Sequence, residues 1–178
     1  MTYVLPPVPS VDQVGIEARA RAFTTRSVKT SAKRSALARI LSMTDLTTLE
    51  GMDTPDKVRR LCRKALHPAP APEVPPVAAV CVYPPFVPIA KEELAGSGVK
   101  VASVATSFPS GQSFLDVRVE EVRRTAESGA DEIDMVINRG AFLAGDYQRV
   151  FDEVAAVKEA CGQAHLKTIL ETGELPAG

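Results

Sequence analysis

Ala130-Asp-Glu-Ile-Asp-Met-Val-Ile-Asn138 is a short apolar stretch with a carboxylate, Asp134, at its centre. Bounded by Gly129 and rich in Ile, Val and Met, it reads as a β-strand. A parallel strand covered on both faces is normally a continuous run of Val, Ile and Leu. A charge inside such a strand is costly to bury, so it is expected to be paired, hydrogen-bonded or functional. One βα unit later, His165-Leu-Lys-Thr-Ile-Leu-Glu-Thr172 repeats the pattern with Lys167 in the charged position.

Working outward, strand candidates lie at 42–46, 77–83, 100–106, 132–138 and 166–171. Helical candidates separate them. Thr54-Pro55 is an N-cap followed by proline at the first helical position and opens a helix over 56–66. A short helix is expected over 89–95, after the Pro84-Pro85 turn. Another spans 116–128 and ends at Gly129, a good residue for the position after a helix. The last starts at Asp146, with Val150, Val154, Val157 and Cys161 at helical spacing. The segment from His67 to Pro76, with five prolines, is a surface loop within this alternation.

Strands alternating with helices predict a parallel sheet built from βαβ units. A dinucleotide-binding fold requires a glycine-rich turn after its first strand, whereas the first strand here runs into Asp45-Leu-Thr-Thr-Leu-Glu-Gly51. Polar residues near the carboxyl ends of several strands favour a (β/α)₈ barrel of the TIM type, which gathers its active site there. The fold class expected is therefore α/β, with about five of the eight βα units present: a barrel cut short. The division expected is a helical, basic arm over 1–41 and a partial barrel over 42–178.

Alternation sorts the side chains by face. Ile133, Met135 and Ile137 share one face of the fourth strand; Glu132, Asp134, Val136 and Asn138 share the other. On the fifth, Leu166 and Leu170 oppose Lys167, Ile169 and Glu171. The apolar faces suit surrounding helices and the mixed faces a barrel interior, where Asp134 and Lys167 would meet. Asp45 and Thr47 on the first strand, and Cys81 and Tyr83 on the second, could join them. A buried acid beside a lysine fits proton transfer next to a carbonyl or imine, and a desolvated lysine of lowered pKa can form a Schiff base. A buried ion pair that only holds the interior together fits the same pattern.

Other features point to the bland reading. His67 belongs to a loop, His165 has no evident base or metal partner, Cys81 lies in an apolar strand, and Gly111 in Phe108-Pro-Ser-Gly-Gln112 marks a turn, not a phosphate loop. The three cysteines, Cys62, Cys81 and Cys161, are odd in number and lack metal-ligand spacing, which fits a reducing compartment; a cytoplasmic protein without a metal is expected. With a net charge of −1, few aromatic residues and no apolar run of about 20, the chain is expected to engage neither nucleic acid nor a membrane. Met1-Thr-Tyr-Val-Leu-Pro-Pro7 lacks the layout of a secretion signal. Residues 18–44 carry seven Lys or Arg and no acid, compatible with a nucleic-acid arm, a transit segment or a solvated helical arm, the last being expected.

Five segments together resemble the deoxyribose-phosphate aldolase family. They are Asp45-Leu-Thr-Thr-Leu49, Ala78-Ala-Val-Cys-Val-Tyr-Pro84, Val101-Ala-Ser-Val-Ala105 with Phe108-Pro-Ser-Gly111, Gly129-Ala-Asp-Glu-Ile-Asp-Met-Val-Ile-Asn138 and His165-Leu-Lys-Thr-Ile-Leu-Glu-Thr-Gly-Glu-Leu175. The Ile-Asn-Arg139 reading and the long arm are similar to the longer branch of that family. The resemblance implies a class I aldolase on a (β/α)₈ barrel, which reversibly splits 2-deoxyribose 5-phosphate into acetaldehyde and glyceraldehyde 3-phosphate through a lysine Schiff base, without a metal or other cofactor. Small phosphosugar and aldehyde substrates, and a homo-oligomer, go with it. By motif, Asp134 matches the proton-shuttling acid, Lys167 the supporting fifth-strand lysine, and Asp45, Thr47 and Cys81 positions lining the substrate pocket. The Schiff-base lysine of the family lies on a sixth strand, in a Phe-Ile-Lys-Thr-Ser-Thr-Gly-Lys type segment that residues 1–178 do not contain. A non-catalytic half-barrel that associates with another subunit is the alternative expectation.

Overall fold

The structure, a computed structural model, describes residues 4, 6–7 and 9–175. The reading of Met1–Pro7 and the outer limits of both expected segments fall largely or partly outside the described residues. Five strands, β1 (Asp45–Thr47), β2 (Ala79–Val82), β3 (Lys100–Ala105), β4 (Glu132–Val136) and β5 (His165–Ile169), form one parallel sheet in sequential order. Seven α-helices accompany them: α1 (Gln13–Thr24), α2 (Thr30–Leu41), α3 (Pro55–Leu66), α4 (Val87–Glu93), α5 (Leu115–Glu127), α6 (Arg139–Leu143) and α7 (Tyr147–Ala160). Among the described residues, no helix is long and apolar enough to cross a membrane.

The sheet is curled. Strands sit about 4.8 Å apart, so in a flat sheet β1 and β5 would be roughly 19 Å apart, beyond the joint reach of a lysine and an aspartate. Yet Lys167 Nζ on β5 lies 2.5 Å from Asp45 Oδ2 on β1. Only an arc that turns its charged face inward brings them together, which is the geometry of a barrel wall.

Alternation divides the packing into two layers. Val80, Val82, Val101, Ala105, Ile133 and Met135 face outward and are buried under Val58 and Cys62 of α3, Val87 and Ala90 of α4, Val122 of α5, and Val157 of α7 with Cys161 just past its end. Ala79, Cys81, Ala102 and Val104 face the concave side and form a smaller cluster with Leu49, Tyr83 and Phe108. Ile133 is completely buried in the outer layer. Ile133→Val removes one methylene there and is expected to cost about 0.5–1.5 kcal/mol. Urea denaturation would show this as a lower midpoint at unchanged slope.

Local signals explain most helix ends. Thr54 Oγ1 accepts the Lys57 N–H (3.3 Å) to cap α3, and Asp146 Oδ1 accepts the Arg149 N–H (3.3 Å) to cap α7. Gly129, at φ 106°, ends α5 in a conformation that suits glycine.

Most boundaries shift by one or two residues from the sequence reading, and four departures have a local cause. The arm is two helices, broken between Thr24 and Thr30, because the Thr24 and Thr25 hydroxyls bond back to the Arg21 and Ala22 carbonyls (2.8 and 2.9 Å) at a β-branched pair. Neither α1 nor α2 buries a side chain. β1 starts at Asp45, since the Ser42 N–H and the Thr44 hydroxyl still bond to carbonyls of α2. Asn138 is not a strand residue but the N-cap of α6, accepting the Ala141 N–H at 3.0 Å, in a short helix that Gly140 hides from periodicity. β5 ends at Ile169, and Glu171 sits at φ 52°. Its carboxylate therefore leaves the Lys167 face and meets Arg139 instead, 2.7 Å away.

Candidate active site

The concave face carries a charged cluster centred on Lys167. Its ammonium lies 2.5 Å from Asp45 Oδ2, 2.9 Å from Glu132 Oε2 and 3.1 Å from Asp134 Oδ1. Parallel register sets Asp134 beside Lys167, and the curl of the sheet delivers Asp45 from the far edge. The other Asp134 oxygen accepts the Cys81 thiol from β2 at 3.7 Å. The structure thus brings Asp45, Cys81, Asp134 and Lys167 together in space. Thr47 stands apart: its hydroxyl donates to the Asp45 carbonyl (3.1 Å) and it lies exposed on the same strand. Glu132 was overlooked as a partner, although its position two residues before Asp134, on the same strand face, was the available signal.

One ammonium among three carboxylates sets the electrostatics. Burial pushes the Asp134 carboxyl above the usual carboxylate range; Lys167 opposes this, while Asp45 and Glu132 add to it. Asp134 is consequently the member of the cluster best placed to take up and return a proton. Lys167 behaves in the opposite way to a desolvated lysine of lowered pKa, one of the two readings that the sequence pattern left open. Burial pulls its pKa down, but the carboxylates of Asp45, Glu132 and Asp134 outweigh that and hold it above the ordinary lysine range. An ammonium so held is disfavoured as an imine-forming nucleophile, which needs the free lone pair. Among the described residues no three His, Cys, Asp or Glu side chains form a metal site. Where carboxylates converge, the lysine occupies their centre.

Cys81 is 3% exposed, and burial together with Asp134 pushes its thiol up to about 12. A thiol in that state is a poor nucleophile. Under native conditions at pH 8, iodoacetamide is expected to leave Cys81 unmodified over a period that fully labels an exposed cysteine, with peptide mass spectrometry as the readout.

Beyond the strands, the loop that follows β3 is tied to the site. Thr106 Oγ1 accepts the Val136 N–H (2.8 Å) and donates to the Val136 carbonyl (3.2 Å), while the Ser107 N–H donates to Glu121 (2.8 Å). Thr106 and Ser107 are both left-handed, at φ 62° and 60°. Phe108 packs edge-on against Tyr83, giving the polar cluster an apolar neighbour.

With this geometry in view, the family model described as DeoC/LacD family aldolase matches residues 39–176. The chain belongs to the DeoC/LacD aldolase family. Over 161 aligned residues it is 48% identical to the deoxyribose-phosphate aldolase of Mus musculus and 45% identical to that of Homo sapiens, in each case covering 84% of this chain and 51% of the relative. A solved tetrameric structure of deoxyribose phosphate aldolase from Aeropyrum pernix superposes with a TM-score of 0.61 at 28% identity, over 76% of this chain and 54% of that one. The chain spans about half the length of the curated relatives it matches. The expected (β/α)₈-type architecture, with five units in these residues, is that of these DeoC/LacD aldolase relatives.

Proposed function

We propose that residues 42–178 supply the proton-relay half of a deoxyribose-phosphate aldolase site, preceded by a helical arm over 1–41. The reaction is the reversible retro-aldol cleavage of 2-deoxy-D-ribose 5-phosphate to acetaldehyde and D-glyceraldehyde 3-phosphate. A lysine imine on substrate C1 acts as the electron sink, and in the family pattern that lysine comes from a sixth strand. Breaking the C2–C3 bond requires a proton to leave the C3 hydroxyl and another to reach the acetaldehyde carbon. Asp134 takes and returns these protons. Lys167 remains cationic, orients Asp134 and balances Asp45 and Glu132. Asp45, Thr47 and Cys81 line the pocket for the small phosphosugar and aldehyde. No cofactor enters this scheme. Cytoplasmic location and homo-oligomeric assembly complete the reading.

The observation that carries the proposal is the carboxyl of Asp134, pushed up by burial yet 3.1 Å from Lys167 Nζ. Borohydride reduction in the presence of acetaldehyde tests it in two settings. The 178-residue chain is expected to gain no adduct at Lys167. When it is fused to the remaining half of one of the relatives above, the assembled barrel is expected to turn over 2-deoxyribose 5-phosphate and to trap acetaldehyde on the added half. An adduct on Lys167, or a folded fusion without turnover, overturns the assignment. A stable complex of the 178-residue chain with another subunit, and no turnover in the fusion, would instead favour the associating half-barrel.

A further inference from the structure

Three of the four non-glycine residues at positive φ among the described residues, Thr106, Ser107 and Glu171, lie just past the carboxyl ends of β3 and β5. A left-handed conformation is strained for such residues and persists only where surrounding contacts impose it. For Glu171 the contact is Arg139. Arg139 Nη1 lies 2.7 Å from Glu171 Oε2, and its Nε lies 2.6 Å from Glu174 Oε2. The same Nη1 donates to the Pro109 carbonyl at 3.3 Å, in the loop after β3. Arg139 itself opens α6, immediately after β4. One guanidinium, 15% exposed, therefore joins the segments that follow three consecutive strands. Its planar fork suits two carboxylates and a carbonyl at once, which a lysine ammonium cannot reproduce with the same geometry.

We propose that Arg139 is a positioning residue, which ties the loops after β3, β4 and β5 into a single rim closing over the Cys81–Asp134–Lys167 cluster. This role rests on reading that cluster as the active site. Asp134 precedes Arg139 by five residues and Lys167 precedes Glu171 by four, so slack in this rim passes directly to the strands that carry them. The rim also keeps water from the buried thiol of Cys81, whose Sγ contacts Asp134.

The cysteines provide the test. Cys81 lies inside the arc, whereas Cys62 and Cys161 are buried in the outer layer between sheet and helices. The 178-residue chain and its Arg139→Met and Arg139→Lys variants would be pulsed with iodoacetamide at pH 8, and each cysteine followed by mass spectrometry. In Arg139→Met, labelling of Cys81 is expected to rise about tenfold or more while Cys62 and Cys161 keep their rates, as local opening requires. Arg139→Lys is expected to fall between. Leaving Glu171 and Glu174 unpaired makes the rim more negative and can only slow thiolate formation, so faster labelling reports access. Parallel acceleration of all three cysteines would mean that Arg139 serves global stability, and an unchanged Cys81 would mean that the rim does not depend on it; either result overturns the proposal. Neither readout needs turnover, so its failure is separate from failure of the aldolase reading, which the fused barrel decides.

Discussion

Asp134→Asn in the assembled barrel is expected to lower kcat for 2-deoxyribose 5-phosphate cleavage by about 10²–10⁴-fold, the usual contribution of a positioned acid–base group. The amide has the shape of the carboxyl but can neither take up nor release the proton. KM should change little, because the pocket keeps its form. The fold should survive as well: Lys167 retains Asp45 at 2.5 Å and Glu132 at 2.9 Å. The sign of the linkage agrees. Burial raises the folded pKa of Asp134 above its unfolded value, so folding favours the protonated form. The stability this group contributes is present in acid and is lost as pH rises through the folded pKa. Asparagine, neutral at every pH, removes that loss. Circular dichroism at pH 7 should therefore find the melting midpoint of the variant no more than a few degrees below that of the parent, while steady-state assays show the kinetic collapse. Normal turnover in Asp134→Asn would remove Asp134 from the mechanism.

The largest effect on stability is expected far from this cluster, at Glu153. Arg118 on α5 and Glu153 on α7 form an ion pair of 2.9 Å with side-chain exposures of 1% and 5%. Arg149 Nε (2.9 Å) and Asn138 Nδ2 (3.4 Å) also bond to Glu153, whereas Nε and Nη1 of Arg118 have no hydrogen-bond partner among the described residues. Glu153→Leu leaves the guanidinium buried without an anion and is expected to cost about 3–5 kcal/mol, a large share of the roughly 5–15 kcal/mol that stabilises a domain. Urea denaturation would measure the loss. Arg118→Met combined with Glu153→Leu should recover most of it, because two apolar side chains replace a pair that was costly to desolvate. Burial raises the Glu153 pKa, but Arg149 and Arg118 more than reverse this and hold it below the ordinary carboxylate value. Its stabilisation is thus present above the unfolded carboxylate pKa and is lost as pH falls through the folded one. Glu153→Leu should flatten the acid side of the stability profile.

What could be read in advance follows from the range of each interaction. The strands and their two faces were legible because alternation is local: Ile133 and Met135 against Glu132 and Asp134 already separates helix side from barrel side. The meeting of Asp134 and Lys167 followed from their places on consecutive strands. Three features were not legible. Arg118, at the start of a charged helix, looks solvated until α7 brings Glu153 against it. The three carboxylates around Lys167 come from β4 beside it and, through the curl of the sheet, from β1, so its charge state is set by other strands rather than by its own. Glu171 continues the alternation of β5 on paper, but Arg139 draws it into a left-handed turn.

That curl also bears on how the chain acquires its structure. The Lys167–Asp45 pair joins residues 122 positions apart. At about 5–20 residues per second, β1 would wait on the ribosome roughly 6–24 s for the strand that neutralises Asp45. Contacts of such long range depress folding rates, so the charged cluster is expected to close last, on outer layers already packed. The concave face would then be the final part of this molecule to mature.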